Sequence, residues 1–275
     1  MPFFPLCSGV GMGVMPIVDA HAHLQDPRLG KDLAGVMARA RIVGVCAVAV
    51  CGTREADWQE VLDLAREDSG IVPMLGLHPW YVKQALPAWE RRLGDALGRS
   101  GAGLGECGLD FAVEDGDPTA QESAFRAQVR LARELDRPLS IHCRKAWERL
   151  LSIVREEGLP ESGAMIHSFS GSAEMVSELQ KLGFHLSFSC SITNPTNRKA
   201  AKVLPTVRPD RLLLESDAPD LPPRHLEGWD PDAPNEPANV RLVAEAAARL
   251  RGEPLERTLE LAFANSRRFF GRWLR

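Results

Sequence analysis

Residues 15–24 read MPIVDAHAHL, a short apolar run that ends in Asp19 and the pair His21-Ala-His23. On an extended strand, residues two apart point the same way, so both imidazoles project together from the C-terminal edge of the strand. Imidazole suits divalent transition metals. A lone His-x-His pair is a weak signal, more often two ordinary core or surface histidines, so its weight depends on the rest of the chain. Further apolar runs extend over Ile42 to Val50, Ile71 to Leu77, Ala102 to Glu106, Pro138 to Ile141, Ala164 to Ile166, Phe184 to Phe188 and Leu212 to Leu214. With Ile17 to Ala20 they make eight. They are continuous rather than alternating, as expected of parallel strands buried on both faces.

Helical patterns separate the runs. The clearest is Pro118 to Asp136, which Asp117 can cap and Pro118 can open, with Phe125, Val129, Ala132 and Leu135 on one face. Similar patterns occupy Glu55–Arg66, Ala146–Glu156, Ala173–Leu182 and Pro237–Leu250. Strand then helix, repeated to this length, predicts an α/β fold of the (β/α)8 TIM-barrel type, with a doubly wound open sheet as the alternative. No long linker or low-complexity tract divides the chain, so residues 15–275 read as a single domain. The Pro-rich stretch from Asp217 to Pro237 reads as a long loop within it. Residues 1–14 fit no barrel element and are expected to be a disordered extension, with Met12 or Met15 as an alternative start.

A net charge of −4 gives no global attraction to a phosphate backbone. Cys7, Cys46, Cys51, Cys107, Cys143 and Cys190 are scattered among apolar and small residues. They read as reduced thiols of a cytoplasmic protein. No stretch approaches a membrane span, and neither a secretory signal nor an obligate protein partner is indicated.

Polar residues stand at the ends of the apolar runs: His78 after the third, Glu106 in GECGLD after the fourth, His142 after the fifth, His167 after the sixth and Asp217 after the eighth. In a barrel these positions converge on the C-terminal face, where such folds keep their active sites. Four imidazoles, a bridging Glu106 and a terminal Asp217 can hold two divalent ions, Zn, Mg or Mn, and so lower the pKa of a shared water. Zinc best matches so many imidazoles. A carboxylate beside that water can take its remaining proton, and Asp217 is assigned this task.

IVDAHAHL, GLHPW, GECGLDF, PLSIHCRKAWE, HSFSGS, LLLESDAPD, NEPANV and NSRRFFG resemble in order the blocks of the TatD family, a resemblance that runs from about Pro16 to Gly271. These are metal-dependent hydrolases with amidohydrolase-like barrels, usually described as deoxyribonucleases. The resemblance implies that His21 and His23 bind one metal, that Glu106 bridges, and that His142 and His167 bind the second. Asp217 would complete the first site and act as base. It also implies an outer partner role for Asp19 and substrate-binding roles for His78 and Arg144. Ser216 stands where the family usually has Thr, and GWDPDAPNEP replaces a segment that is often basic. The loop near Asp115 and Asp117 is acidic, which leaves Arg144, Arg198, Lys199 and Arg224 as the expected mouth cations.

The function so implied is a phosphodiesterase or deoxyribonuclease that uses a metal-bridged hydroxide on a single-stranded DNA end or a small phosphodiester. The alternative is an amidohydrolase or esterase of a small C–N or C–O substrate, since the same nucleophile attacks carbonyls. A metal-stabilised scaffold without catalysis is the third reading, and the presence of Asp217 speaks against it.

Overall fold

Continuous apolar runs form inner strands because both faces of each are covered, one by helices and the other by the strands across the barrel. A computed structural model describes residues 14–230 and 232–274. Residues 1–13, which include Cys7 and all but the last residue of the expected extension, lie outside the described residues. The strands are β1 (Ile17–Ala22), β2 (Val45–Cys51), β3 (Ile71–Leu75), β4 (Gly103–Asp110), β5 (Leu139–Arg144), β6 (Ala164–Ile166), β7 (His185–Phe188) and β8 (Leu212–Leu214). Each pairs in parallel with the next, in chain order. The last meets the first beyond their ends, where His23 N–H donates to Ala218 O at 2.6 Å and Asp217 N–H donates to His21 O at 3.0 Å. This is the TIM barrel, and the sequential order rules out the doubly wound sheet.

Side chains divide by strand parity. Val18, Ala20, Ala47, Ala49, Val72, Met74, Met165 and Leu213 fill the interior together with Phe269, Phe270 and Leu274 from the end of the chain. The opposite parity, including Ile17, Val48, Val50, Ile141, Ile166, Leu186, Leu212 and Leu214, packs outward under the helices. Small interior residues dominate on β1 and β2, as a narrow eight-stranded barrel requires.

Several boundaries differ from expectation, among them the end of the third run, now Leu75, and of the fifth, now Arg144; two others are instructive. Ile42, expected to open the second strand, instead closes a helix over Leu33–Ile42 and is 74 % exposed. β4 continues past Glu106 to Asp110, because its glycines interrupt the apolar run without ending the strand. At Gly108 (φ +137°) a Cβ would sit 2.0 Å from His142 O, so only glycine lets β4 and β5 approach this closely.

The helix Pro118–Glu134 begins as expected, with Asp117 accepting Ala120 N–H at 3.0 Å. Its buried face carries two glutamines among Ala124, Phe125, Val129 and Ala132. Gln121 accepts Asp110 N–H at 2.9 Å and donates to Asp110 O at 3.1 Å. Gln128 treats Leu77 the same way, at 2.8 and 3.0 Å. One helix thus clamps the chain next to His78 and at the end of β4. Gln128→Ala strips the partners from both the N–H and the C=O of buried Leu77, and each lost partner costs about 1–3 kcal/mol. A loss of about 2–6 kcal/mol in denaturant unfolding is expected. A midpoint unchanged from wild type would show that the clamp contributes nothing.

No helix among the described residues is long and apolar enough to cross a membrane.

Candidate metal centre

The strand ends deliver their polar residues to one place. His21 Nε2 and His23 Nε2 lie 3.3 Å apart at the end of β1. His142 Nδ1, from β5, lies 3.2 Å from His167 Nε2, just past β6. Between the two pairs stands Glu106. Its Oε2 is 3.4 Å from both His21 Nε2 and His23 Nε2, and its Oε1 is 2.7 Å from His167 Nε2 and 3.1 Å from His142 Nδ1. Asp217 Oδ1 closes the first group at 3.9 Å from both of its imidazoles. Lys145, Ser168 and Asp217, which come after β5, β6 and β8, adopt left-handed backbone with φ of 55°, 42° and 60°. Turns of this kind cost about 1–3 kcal/mol each and concentrate at functional sites.

The outer nitrogens of these rings explain the inner ones. His23 Nδ1 donates to Cys51 O at 2.8 Å, and His142 Nε2 donates to Asp110 Oδ2 at 3.1 Å. His167 Nδ1 faces Glu215 Oε1 at 3.5 Å, and His21 Nδ1 faces Ser140 Oγ at 3.1 Å. An imidazole that carries its proton on the outer nitrogen presents a lone pair inward. Inward lone pairs 3.2–3.3 Å apart repel unless a cation lies between them. A tetrahedral ion with bonds of about 2.0–2.1 Å separates its ligands by about 3.4 Å, so the donor set fits a metal in type and spacing. Three groups with this capacity occur among the described residues: His21, His23 and Asp217; His78, Glu106 and His142; His21, His167 and Glu215.

The electrostatics point the same way. Burial would push Glu106 up, but His167, His78 and His21 outweigh it and hold the carboxyl well below the usual range. Burial works against a charge on His23, yet Glu106 and Asp217 raise it to about 9. His21, equally buried and beside His167, falls to about 4. Burial lifts Asp217 to about 7. A site that pulls protons onto some imidazoles and holds a deeply buried carboxylate ionised is one that a divalent cation would neutralise.

The sequence pattern of one family, TatD related DNase, matches residues 18–271. The chain belongs to the TatD family of metal-dependent hydrolases. It is 32 % identical to the uncharacterized metal-dependent hydrolase YabD of Bacillus subtilis over 258 residues, covering 92 % of this chain and 98 % of that protein. It is 34 % identical to the 3′-5′ ssDNA/RNA exonuclease TatD of Klebsiella pneumoniae over 258 residues, 92 % of this chain and 97 % of that one. The crystal structure of YjjV, a TatD homologue of Escherichia coli K12, superposes with a TM-score of 0.86 at 29 % identity, covering 92 % and 97 % of the two chains.

In this TatD chain His78 sits deeper than a mouth residue, 4 % exposed, with Nε2 3.3 Å from Glu106 Oε1. Its ring differs from the other four in one respect. Nδ1 accepts the Trp80 N–H at 3.2 Å, so a neutral His78 carries its proton on Nε2 and offers the cluster a donor rather than a lone pair. Burial lowers His78 to about 4, which keeps it neutral. Asp19 is fully buried and accepts Ser216 N–H at 2.8 Å and Ser216 Oγ–H at 2.5 Å, tying β1 to the residue before Asp217. Burial lifts its carboxyl to about 8.

Arg144 lies at the rim, its side chain 60 % exposed and Nη1 4.0 Å from Asp110 Oδ2. Arg198, which opens the helix Arg198–Val203 after β7, and Arg224, on the loop after β8, are exposed, while Lys199 donates to Ser170 O. Of the acidic loop, Asp117 is committed to its helix cap, and the Asp115 carbonyl accepts Lys83.

Two carboxylates in the strand-end motifs have a task that the sequence alone does not assign. Asp110 holds His142, and burial is outweighed by its His142 and Trp80 hydrogen bonds so that it falls to about 2. Glu215 accepts Ser168 N–H at 2.6 Å and faces His167. Their spacing from Glu106 and Asp217, four and two residues along the chain, is the signal that could have found them. Outer partners of this kind fix the ring orientation of metal-binding histidines.

Proposed function

We propose that this TatD hydrolase uses two divalent ions to cleave phosphodiester bonds at an end of single-stranded nucleic acid. The observation that carries the two-ion reading is Glu106, whose two oxygens each face a separate pair of imidazoles. His21, His23 and Asp217 would hold one ion, His142 and His167 the other, with Glu106 shared. Two such ions, when bound, polarise a phosphoryl oxygen and bring the pKa of a water toward neutrality. Asp217 accepts the proton of the attacking water, since its carboxylate stands 3.9 Å from both imidazoles of the first pair. Asp110 and Glu215 keep the inner nitrogens of His142 and His167 aimed at the cluster. His78 Nε2–H donates to Glu106 Oε1 or to a substrate oxygen brought beside it, and Arg144 meets a phosphate at the rim. Nucleic acid as substrate is supported by the 3′-5′ ssDNA/RNA exonuclease named among the relatives. Cytoplasmic action is supported by the buried, reduced thiols of Cys51, Cys107, Cys143 and Cys190.

The test is a panel of protein reconstituted separately with Zn, Mn and Mg, offered a 5′-labelled single strand, the matching duplex, a generic phosphodiester, and a set of small amides and lactones. Progressive shortening of the single strand is expected. With net charge −4 and Lys199 already committed to Ser170 O, few phosphates are gripped, so log affinity falls with log salt at a slope of about −0.7 to −1.4, one or two phosphates' worth. Turnover of an amide or lactone, with no phosphodiester cleaved under any ion, moves the assignment to an amidohydrolase.

A further inference from the structure

Among the exposed large apolar side chains Ile42, Trp80, Leu86, Leu221 and Leu226, Trp80 is the aromatic one, 52 % exposed. Its indole is held from several sides. Nε1 donates to Asp110 Oδ2 at 2.8 Å, the oxygen 3.1 Å from His142 Nε2. The ring meets His78 edge to face, centroids 4.9 Å apart at 87°, and lies 6.4 Å from the His142 ring. Its backbone N–H is taken by His78 Nδ1 in the short turn opened by Pro79. An indole fixed this way cannot fold back onto the barrel, and half of it stays open beside the cluster. Arg144 Nη1 lies 4.0 Å from the same Asp110 oxygen, so a cation and an aromatic face flank one edge of the site.

A flat face next to a phosphate-handling centre in a mouth poor in cations matches one ligand chemistry. Bases of single strands stack on aromatic side chains regardless of sequence, whereas a base inside a duplex must first leave its own stack. We propose that Trp80 is the platform for the nucleobase adjoining the scissile phosphate, with Arg144 contacting the neighbouring phosphate. This rests on the nucleic-acid reading above and adds to it the requirement for an unstacked base.

The experiment is calorimetric titration of the metal-loaded protein with thymidine 5′-monophosphate and with 2-deoxyribose 5-phosphate, which lacks the base. Wild type is expected to prefer the nucleotide by about 5- to 150-fold, equivalent to ~1–3 kcal/mol of stacking. Trp80→Phe keeps a π-face and most of the preference. Trp80→Leu keeps apolar bulk without that face and loses the preference, as does Trp80→Ala. Metal content is measured in each variant. Equal affinity of wild type for the two ligands overturns the platform. So does loss of preference in Trp80→Phe matching that in Trp80→Ala, or loss accompanied by loss of metal, since the indole would then act through Asp110. The reaction is judged separately. Oligonucleotide hydrolysis without base preference overturns the platform alone, and base-dependent binding without hydrolysis of any phosphodiester overturns the reaction alone.

Discussion

Asp217→Asn lowers kcat by about two to four orders of magnitude, the usual worth of a positioned acid or base, while the protein stays folded. The fold is spared for local reasons. Asp217 sits at φ 60°, which asparagine tolerates better than most residues, and its N–H bond to His21 O is a backbone bond that the substitution leaves in place. The chemistry is not spared, because an amide oxygen cannot take up the proton of the attacking water. It is also a weaker ligand than a carboxylate, so the assay is run at saturating metal with occupancy confirmed by elemental analysis. Melting temperature within a few degrees of wild type, full occupancy and a collapsed kcat are the expected combination. Near-normal kcat at full occupancy would remove Asp217 from the role of base and make Glu106 the next candidate.

The cluster is legible in the sequence because its members interrupt or end apolar runs; one polar residue at a strand end is usually structural, but several at the same relative place are not explained that way. The period of two places His21 and His23 on one face, and the barrel does the rest. What the sequence hides falls into two kinds. Ile42 reads as strand because a short apolar run carries no periodicity, and only the exposed end of the preceding helix shows why it belongs there. Gln121, Gln128, Asp110 and Glu215 act on atoms far away along the chain or on peptide groups. Glutamine on a helix looks like a solvent-facing residue until the strand end beneath it is known. Trp80 is hidden for a related reason: GLHPW does not show whether its aromatic residue is covered, and the exposure is a property of the loop geometry.

Glu106→Gln is expected to reduce bound metal from two ions per chain to one or fewer, and to lower activity by at least about 10²-fold, since Lewis-acid stabilisation is worth several kcal/mol. The reason lies in symmetry. A carboxylate offers two equivalent anionic oxygens, and here Oε2 faces His21 and His23 while Oε1 faces His142 and His167. Glutamine keeps the shape but turns one of those oxygens into an NH2 group with no lone pair for a cation, and it removes the charge that offsets two ions in a buried site. Glu106→Asp keeps the charge and shortens the reach, so it should also fail to serve both pairs. His142→Ala separates the sites: the second ion is lost with activity, while His21, His23 and Asp217 keep the first. Stoichiometry is read by elemental analysis after reconstitution and gel filtration, and unfolding is monitored in parallel because an uncompensated cluster of buried imidazoles is itself destabilising. Two ions retained in Glu106→Gln would show that the pairs fill independently of the shared carboxylate. A wild-type stoichiometry that stays at one, with Glu106 intact, would show that the two imidazole pairs gather around a single ion, and the water would then have to be activated by that ion with Asp217 alone.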